Sequence, residues 1–411
     1  MLFMNRAWEG NPGPNASQPR MVLKAAHHSS PRALVLLAGM LVACSSAEGK
    51  APSDDAGPPS GPAASVALGA ASAAASVVAD LPAVPVPAPM MQLAALPDED
   101  LYPATLEEQR EALFRRMAVM LHLTDEQMAA VRAVFKRSKV MGQGNPATTK
   151  YPNTRKECRE KRNELGGVEA DSPVCDSPFM APIWDPLAGE TENDAKVCID
   201  RFEFPGIPCE HPLVYESARE AAELCAAIGK RLCDAHEWEG ACAGAVHAPE
   251  EEYLFGKPRR ESKEAHNRDR EIVWAYGHNK DHSKCGTKSK KNEGCTSSGW
   301  KRCGSNTFPA GFFPECKSPF GVYDQHGNTA EHMNLPVKPE ELTSHGGAGV
   351  TEMKGSWFIF STFEAHPDDC RWRAPDWHGT KVMDYNSHAN YHLGFRCCKS
   401  VEVKAPPAPA P

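Results

Sequence analysis

The sequence predicts a disulfide-rich α+β domain, with short strands and two helices, in the second half of the chain. Three observations predict it. Fifteen cysteines occur, and all but Cys44 lie at or beyond Cys158. The run Val197-Cys198-Ile199-Asp200-Arg201-Phe202-Glu203 alternates apolar and charged residues, as a half-buried strand does. Two capped helical patterns follow, at Ser217 and Asp234.

The cysteines are scattered and do not form the CxxC pairs of a zinc site, which points to an oxidising compartment. The N-terminus agrees. Arg32 precedes an apolar run from Ala33 to Ala43 that is too short to span a bilayer, so residues 1–43 read as a signal peptide. Met21 is an alternative start, because Lys24 and Arg32 then form a compact positive region. Leu41-Val42-Ala43-Cys44 resembles the lipobox of bacterial lipoproteins. That resemblance implies a lipidated Cys44 and a membrane anchor in the cell envelope, periplasmic or at the outer surface. Without Cys44, fourteen cysteines remain, an even number that permits seven bridges.

Residues 44–100 are rich in Ala, Pro, Ser and Val with few charges. Such a segment buries too little apolar surface to offset its ordering entropy and reads as a flexible tether. The full chain has 53 acidic and 45 basic residues, a formal charge of −8, with no long basic run. This balance argues against nucleic acid and anionic headgroups as partners.

Over 101–145, Thr105 with Glu108 and Thr124 with Gln127 fit capping boxes. Leu106, Leu113, Phe114, Met117 and Leu121 fall on one helical face, and Met128, Val131, Val134 and Phe135 on the next. A helical hairpin is expected, docked by these stripes or standing free as a partner-binding stalk. Residues 146–196 read as an irregular, disulfide-held lead-in containing Cys158 and Cys175, and 402–411 as a Pro/Ala tail.

The main domain spans 197–401. Ser217 to Ile228 predicts a helix with Ala218, Ala221, Ala222, Cys225 and Ala226 inward and Gly229 ending it. Asp234 caps a second helix with Glu237 at its third position and Trp238 and Cys242 inward. Five motifs occur in order: Cys225-x-x-x-Gly229-Lys230-Arg231-Leu232, Glu237-Trp238-Glu239-x-x-Cys242, Gly321-Val322-Tyr323-Asp324-Gln325-His326-Gly327-Asn328, Gly355-Ser356-Trp357, and Leu393-Gly394-Phe395-Arg396-Cys397. Together they resemble the formylglycine-generating enzyme (sulfatase-modifying factor) family. The resemblance implies a C-type-lectin-like fold with many loops, braced by disulfides and calcium.

The resemblance further implies bridges Cys225 to Cys397 and Cys242 to Cys370, with Cys398 a competitor for Cys397. It leaves Cys158, Cys175, Cys198, Cys209, Cys233, Cys285, Cys295, Cys303 and Cys316 unassigned. Enzymes of the family oxidise a sulfatase cysteine with molecular oxygen and copper held by two thiolates. Counting back from Cys370 puts Phe360 and Ala365 at the thiolate positions, so no copper is expected. A calcium site is implied at the Asp324 and Glu331 side chains and the Gly327 and Thr329 carbonyls, with Asn267 a weaker second candidate.

Ala330-Glu331-His332 replaces the family's Trp-Glu-Trp, which implies a different groove ligand. Trp372, Trp377 and Tyr385 are candidate contacts for a peptide or glycan, and Trp357 reads as core. Glu216, Glu220 and Glu237 read as helical surface carboxylates. The expected function is binding or scaffolding of an envelope ligand. The alternative is an oxidase or other metal enzyme using histidines, with His388 and His392 foremost beside His326, His332, His345, His366 and His378.

Overall fold

The computed structural model describes residues 89–270, 273–291, 300–342, 347–374 and 379–401. The signal-like run, Cys44, the tether up to residue 88, Cys295, His345, Trp377, His378 and the tail lie outside these, whereas the end of the expected tether is packed, with Leu93 and Leu96 buried in the core. Among the described residues no helix is long and apolar enough to cross a membrane.

The hairpin forms from its caps. Helix α1 (Leu106–Met120) starts where Thr105 accepts from the Glu108 amide, and α2 (Asp125–Arg137) starts at a reciprocal box between Thr124 and Gln127. The stripes face the main domain and join its core, where Leu113, Phe114, Met117, Val131 and Phe135 share a cluster with Phe202, Phe204 and Leu213. Each such side chain contributes about 1.5–3 kcal/mol through burial. The hairpin is therefore docked, and charge reinforces the docking. Arg116 of α1 and Arg155 both pair with buried Glu210.

The lead-in expected to be irregular contains a third helix, α3 (Arg155–Glu164), capped by Thr154 and Glu157. It lacks an apolar stripe and buries Arg155, Cys158 and Arg162 instead, so hydrophobic periodicity passed over it. Two short strands, β1 (Met90–Met91) and β2 (Val168–Glu169), pair antiparallel beside it.

Strands β3 (Met180–Ile183), β4 (Val197–Asp200), β5 (Arg231–Leu232) and β9 (Cys397–Ser400) form one antiparallel sheet ordered β3-β4-β9-β5. All four residues of β4 are buried, which corrects the half-buried expectation: a central strand is covered on both faces. A second sheet, ordered β7-β6-β8, joins β6 (Ala330–Leu335) antiparallel to β7 (Val350–Lys354) and parallel to β8 (Leu393–Phe395).

Helix α4 (Ala218–Ala227) follows a capping box of Ser217 and Glu220 and ends before Gly229 at φ +77°. Leu224 is inward and Ala226 is exposed, the reverse of the expectation for Ala226. Helix α5 (Ala235–Ala243) has the expected box at Asp234 and Glu237. The two-helix expectation is also corrected, because α6 (Pro249–Tyr253) and α7 (Arg259–Asp269) follow. Helix α7 docks by polar contacts: Lys263 lies 3.3 Å from Glu352, and His266, whose basicity burial lowers, lies 3.4 Å from Glu239 and 3.6 Å from Glu252. A helix held this way carries no apolar signature.

Six disulfides brace the described residues: 158–209, 175–198, 225–397, 233–398, 242–370 and 285–316. Adjacent Cys397 and Cys398 point to opposite faces of β9, so Cys398 reaches Cys233 and does not compete for Cys225. Cys303 is buried with a free thiol, and the described residues hold six bridges where the cysteine count allowed seven.

Candidate functional site

The turn after Tyr323 is shaped by two left-handed residues, Asp324 at φ +56° and Asn328 at φ +53°. Between them Gly327 runs against the Gly286 backbone, where an added Cβ would meet the Gly286 carbonyl at 2.8 Å. Asn328 is fully used: its amide donates to Glu203 at 2.5 Å and to the Phe308 carbonyl at 3.1 Å, and its oxygen accepts from the Phe308 amide at 2.8 Å.

The turn and β6 assemble three buried carboxylates, Glu203, Asp324 and Glu331. Burial is the main force raising the Asp324 carboxyl to about 7, outweighing the Gly311 amide that donates to it at 2.5 Å. Burial first, then the charges of Asp324 and Glu331, push Glu203 far above the carboxylate range. Glu331 is held differently. Arg396 donates to both its oxygens, at 2.6 Å and 2.5 Å, and the Trp238 indole donates at 3.0 Å.

This donor set does not fit the calcium ion expected at Asp324, Gly327, Thr329 and Glu331. Calcium takes about six to eight oxygen ligands, whereas the Glu331 carboxylate is occupied by a guanidinium that already supplies the positive charge. Asn267 is also engaged, because its amide donates to the Arg373 carbonyl at 3.0 Å and its oxygen accepts from the Arg373 amide at 2.9 Å.

Beyond Gly355-Ser356-Trp357, Phe360 is fully buried, with ring centroids 5.1 Å from Trp357, 5.2 Å from His366 and 5.5 Å from His282. Ala365 is exposed. The nearest cysteine in sequence, Cys370, is bonded to Cys242, and the His326 Nε2 lies 3.4 Å from the Cys242 sulfur. Thus Phe360 and Ala365, where the resemblance places thiolates, hold a packed phenyl ring and an exposed methyl group.

Of the expected groove contacts, Trp372 stacks on His366 with centroids 4.3 Å apart, whereas Tyr385 is 85% exposed under the Arg219 guanidinium. Trp357 is core and stacks on His392 at 4.6 Å. Burial pulls His392 and His332 down to about 3, with the neighbouring His388 adding repulsion, so both are neutral near pH 7. Among the described residues, the groups of three metal-capable side chains include neither His388 nor His392. Glu216 and Glu237 are fully buried, which corrects their reading as surface carboxylates. Glu237 binds Arg231 across from β5, and Glu216 is pushed far up by burial.

Sequence reasoning missed Asp368 and His282, which stand beside Phe360 and Ser356. Ser356 donates to Asp368 at 2.9 Å and the Trp274 indole donates at 3.2 Å. The only signal in the sequence is the acid pair Asp368-Asp369 ahead of Cys370.

In comparisons with known proteins, the Sulfatase-modifying factor enzyme 1-like domain matches residues 151–401, more than half of the chain. No curated protein matches. Among solved structures, the chain is similar to the Major Tropism Determinant I1 Variant at 15% identity, over 45% of this chain and 37% of that one. The TM-score of 0.21 is too low to carry an argument.

Proposed function

Because the chain belongs to the Sulfatase-modifying factor enzyme 1-like family over residues 151–401, we propose that it is a binding or scaffolding member without the copper oxidase chemistry. The fold is of the formylglycine-generating, C-type-lectin-like kind, presented on an envelope lipoprotein anchored through Cys44. One observation carries this reading: Phe360 fills its position with a buried ring inside an aromatic cluster. Copper(I) needs accessible soft thiolates. A phenyl ring offers none, and Cys242 and Cys370 are bonded to each other.

The ligand is a peptide or glycan, contacted by Trp372 and Tyr385 with Trp377 from the same segment. Aromatic faces suit both classes, since they supply large apolar area at low entropic cost. Burying His332 where the family has an aromatic residue alters the groove lining and thereby the ligand.

The test uses the full chain with a cysteine-containing sulfatase peptide, copper(I), reductant and oxygen, read by peptide mass. An unchanged thiol supports the proposal, and conversion to the aldehyde overturns it. Loss of membrane fractionation in Cys44→Ser tests the anchor.

A further inference from the structure

We propose that His282, Glu364 and Asp368 form a site for a zinc-class divalent metal ion beside Phe360 and Ser356. The ligand atoms of these three side chains lie within 4.8 Å of one another. They come from two separate segments, His282 from a short turn of 3-10 helix and the two acids from the loop after Phe360.

Distance decides between a hydrogen bond and a metal pair. His282 Nε2 is buried, and Asp368 Oδ2, at 3.4 Å, is the carboxylate oxygen it faces. That separation is long for an N–H···O bond, whose usual range ends near about 3.2 Å. It is the spacing of two ligands on one tetrahedral ion: with metal–ligand bonds of about 2.0–2.1 Å, tetrahedral geometry sets the two atoms about 3.4 Å apart. One imidazole with two carboxylates suits zinc, and a fourth position is left for water or a groove ligand.

A second, independent observation points to the same oxygen. His326 is fully buried, and its Nδ1 has no hydrogen-bond partner and faces Asp368 Oδ2 at 3.9 Å. Its Nε2 accepts from the Ala275 amide at 3.1 Å, so Nδ1 carries the proton and lies on the side of Asp368. Ser356 and Trp274 hold the same group. Metal-binding carboxylates are oriented by such outer partners.

Lys280 now sits at this point. Its ammonium pairs with Glu364 and lies 3.9 Å from Asp368 Oδ1. An arriving dication would replace one tethered positive charge with a stronger one. The lysine side chain is 35% exposed and can withdraw to solvent.

The full, oxidised chain is titrated with zinc against a chromophoric chelator. The expectation is one zinc per chain, weakened by His282→Ala and by Glu364→Gln by more than the about 10- to 100-fold that losing an outer partner costs, and tightened by Lys280→Met. Asp368 is buried and braced, so Asp368→Asn risks misfolding. The solvent-facing Glu364 and Lys280 therefore carry the test, with near-UV circular dichroism confirming the fold. No stoichiometric zinc, or zinc whose affinity ignores His282→Ala and Glu364→Gln, overturns the proposal. This readout is separate from the copper and aldehyde assay, so either proposal can fail alone.

Discussion

Arg396 grips Glu331 through two charge-assisted hydrogen bonds of 2.6 Å and 2.5 Å, with both side chains buried. The same guanidinium donates to the Tyr323 and Asp200 carbonyls at 2.9 Å and 3.0 Å. One cation thereby ties β8–β9, β6 and the Asp324 turn together. Removing one partner of a buried pair leaves an uncompensated charge. Arg396→Met is expected to cost about 3–5 kcal/mol in denaturant unfolding.

Because Arg396 supplies the charge that calcium was expected to supply, adding calcium to the metal-free chain is expected to leave the melting temperature unchanged. Differential scanning calorimetry of the EDTA-treated, dialysed chain with and without calcium checks this. A rise of several degrees on adding calcium would restore calcium to the Asp324 turn.

Glu210 gives the hairpin a dependence on pH. Burial alone would raise its carboxyl, but Arg116 and Arg155 together outweigh burial and hold it at about 2, below its ordinary 4.5. A depressed folded-state pKa contributes stability that is complete above about 4.5 and is lost as pH falls toward 2. The shift corresponds to about 3 kcal/mol. The stability gap between the wild type and Glu210→Gln is therefore expected to be widest above pH 5 and to close in acid, measured by urea unfolding at each pH.

The bridge from Cys225 to Cys397 closes a sequence separation of 172 residues. By the chain-entropy estimate it contributes about 5 kcal/mol. Cys397→Ser is not expected to be rescued by Cys398, which is committed to Cys233 on the other face of β9. Non-reducing peptide mapping checks both pairings. In the same experiment Cys303, 5% exposed, is expected to alkylate only after unfolding.

How much of this was legible in the sequence follows from what each element is held by. The caps at Thr105, Thr124, Ser217 and Asp234 are local, since a side chain meets an amide three residues on, and the hairpin stripes repeat at the helical period. Both can be read without the fold. The ordered motifs named the family for a similar reason: the turn at Gly327 and the paired Arg396 demand particular residues at fixed spacing. Helices α3 and α7 were not legible as helices, because their buried faces carry Arg155, Arg162, Lys263 and His266. These polar residues are buried where distant groups such as Glu210, Tyr323, Glu239 and Glu352 meet them.

The sequence by itself determined the cysteine-rich α+β domain, the starts of α1, α2, α4 and α5, and the lack of thiols at Phe360 and Ala365. Only the tertiary structure decided that Arg396 occupies Glu331, that Cys398 reaches Cys233, and that His282 comes within 3.4 Å of Asp368 across 85 intervening positions of chain. Local signals depend on backbone periodicity and neighbouring amides. Charge pairing and ligand geometry depend on which strands and loops the folded core brings together.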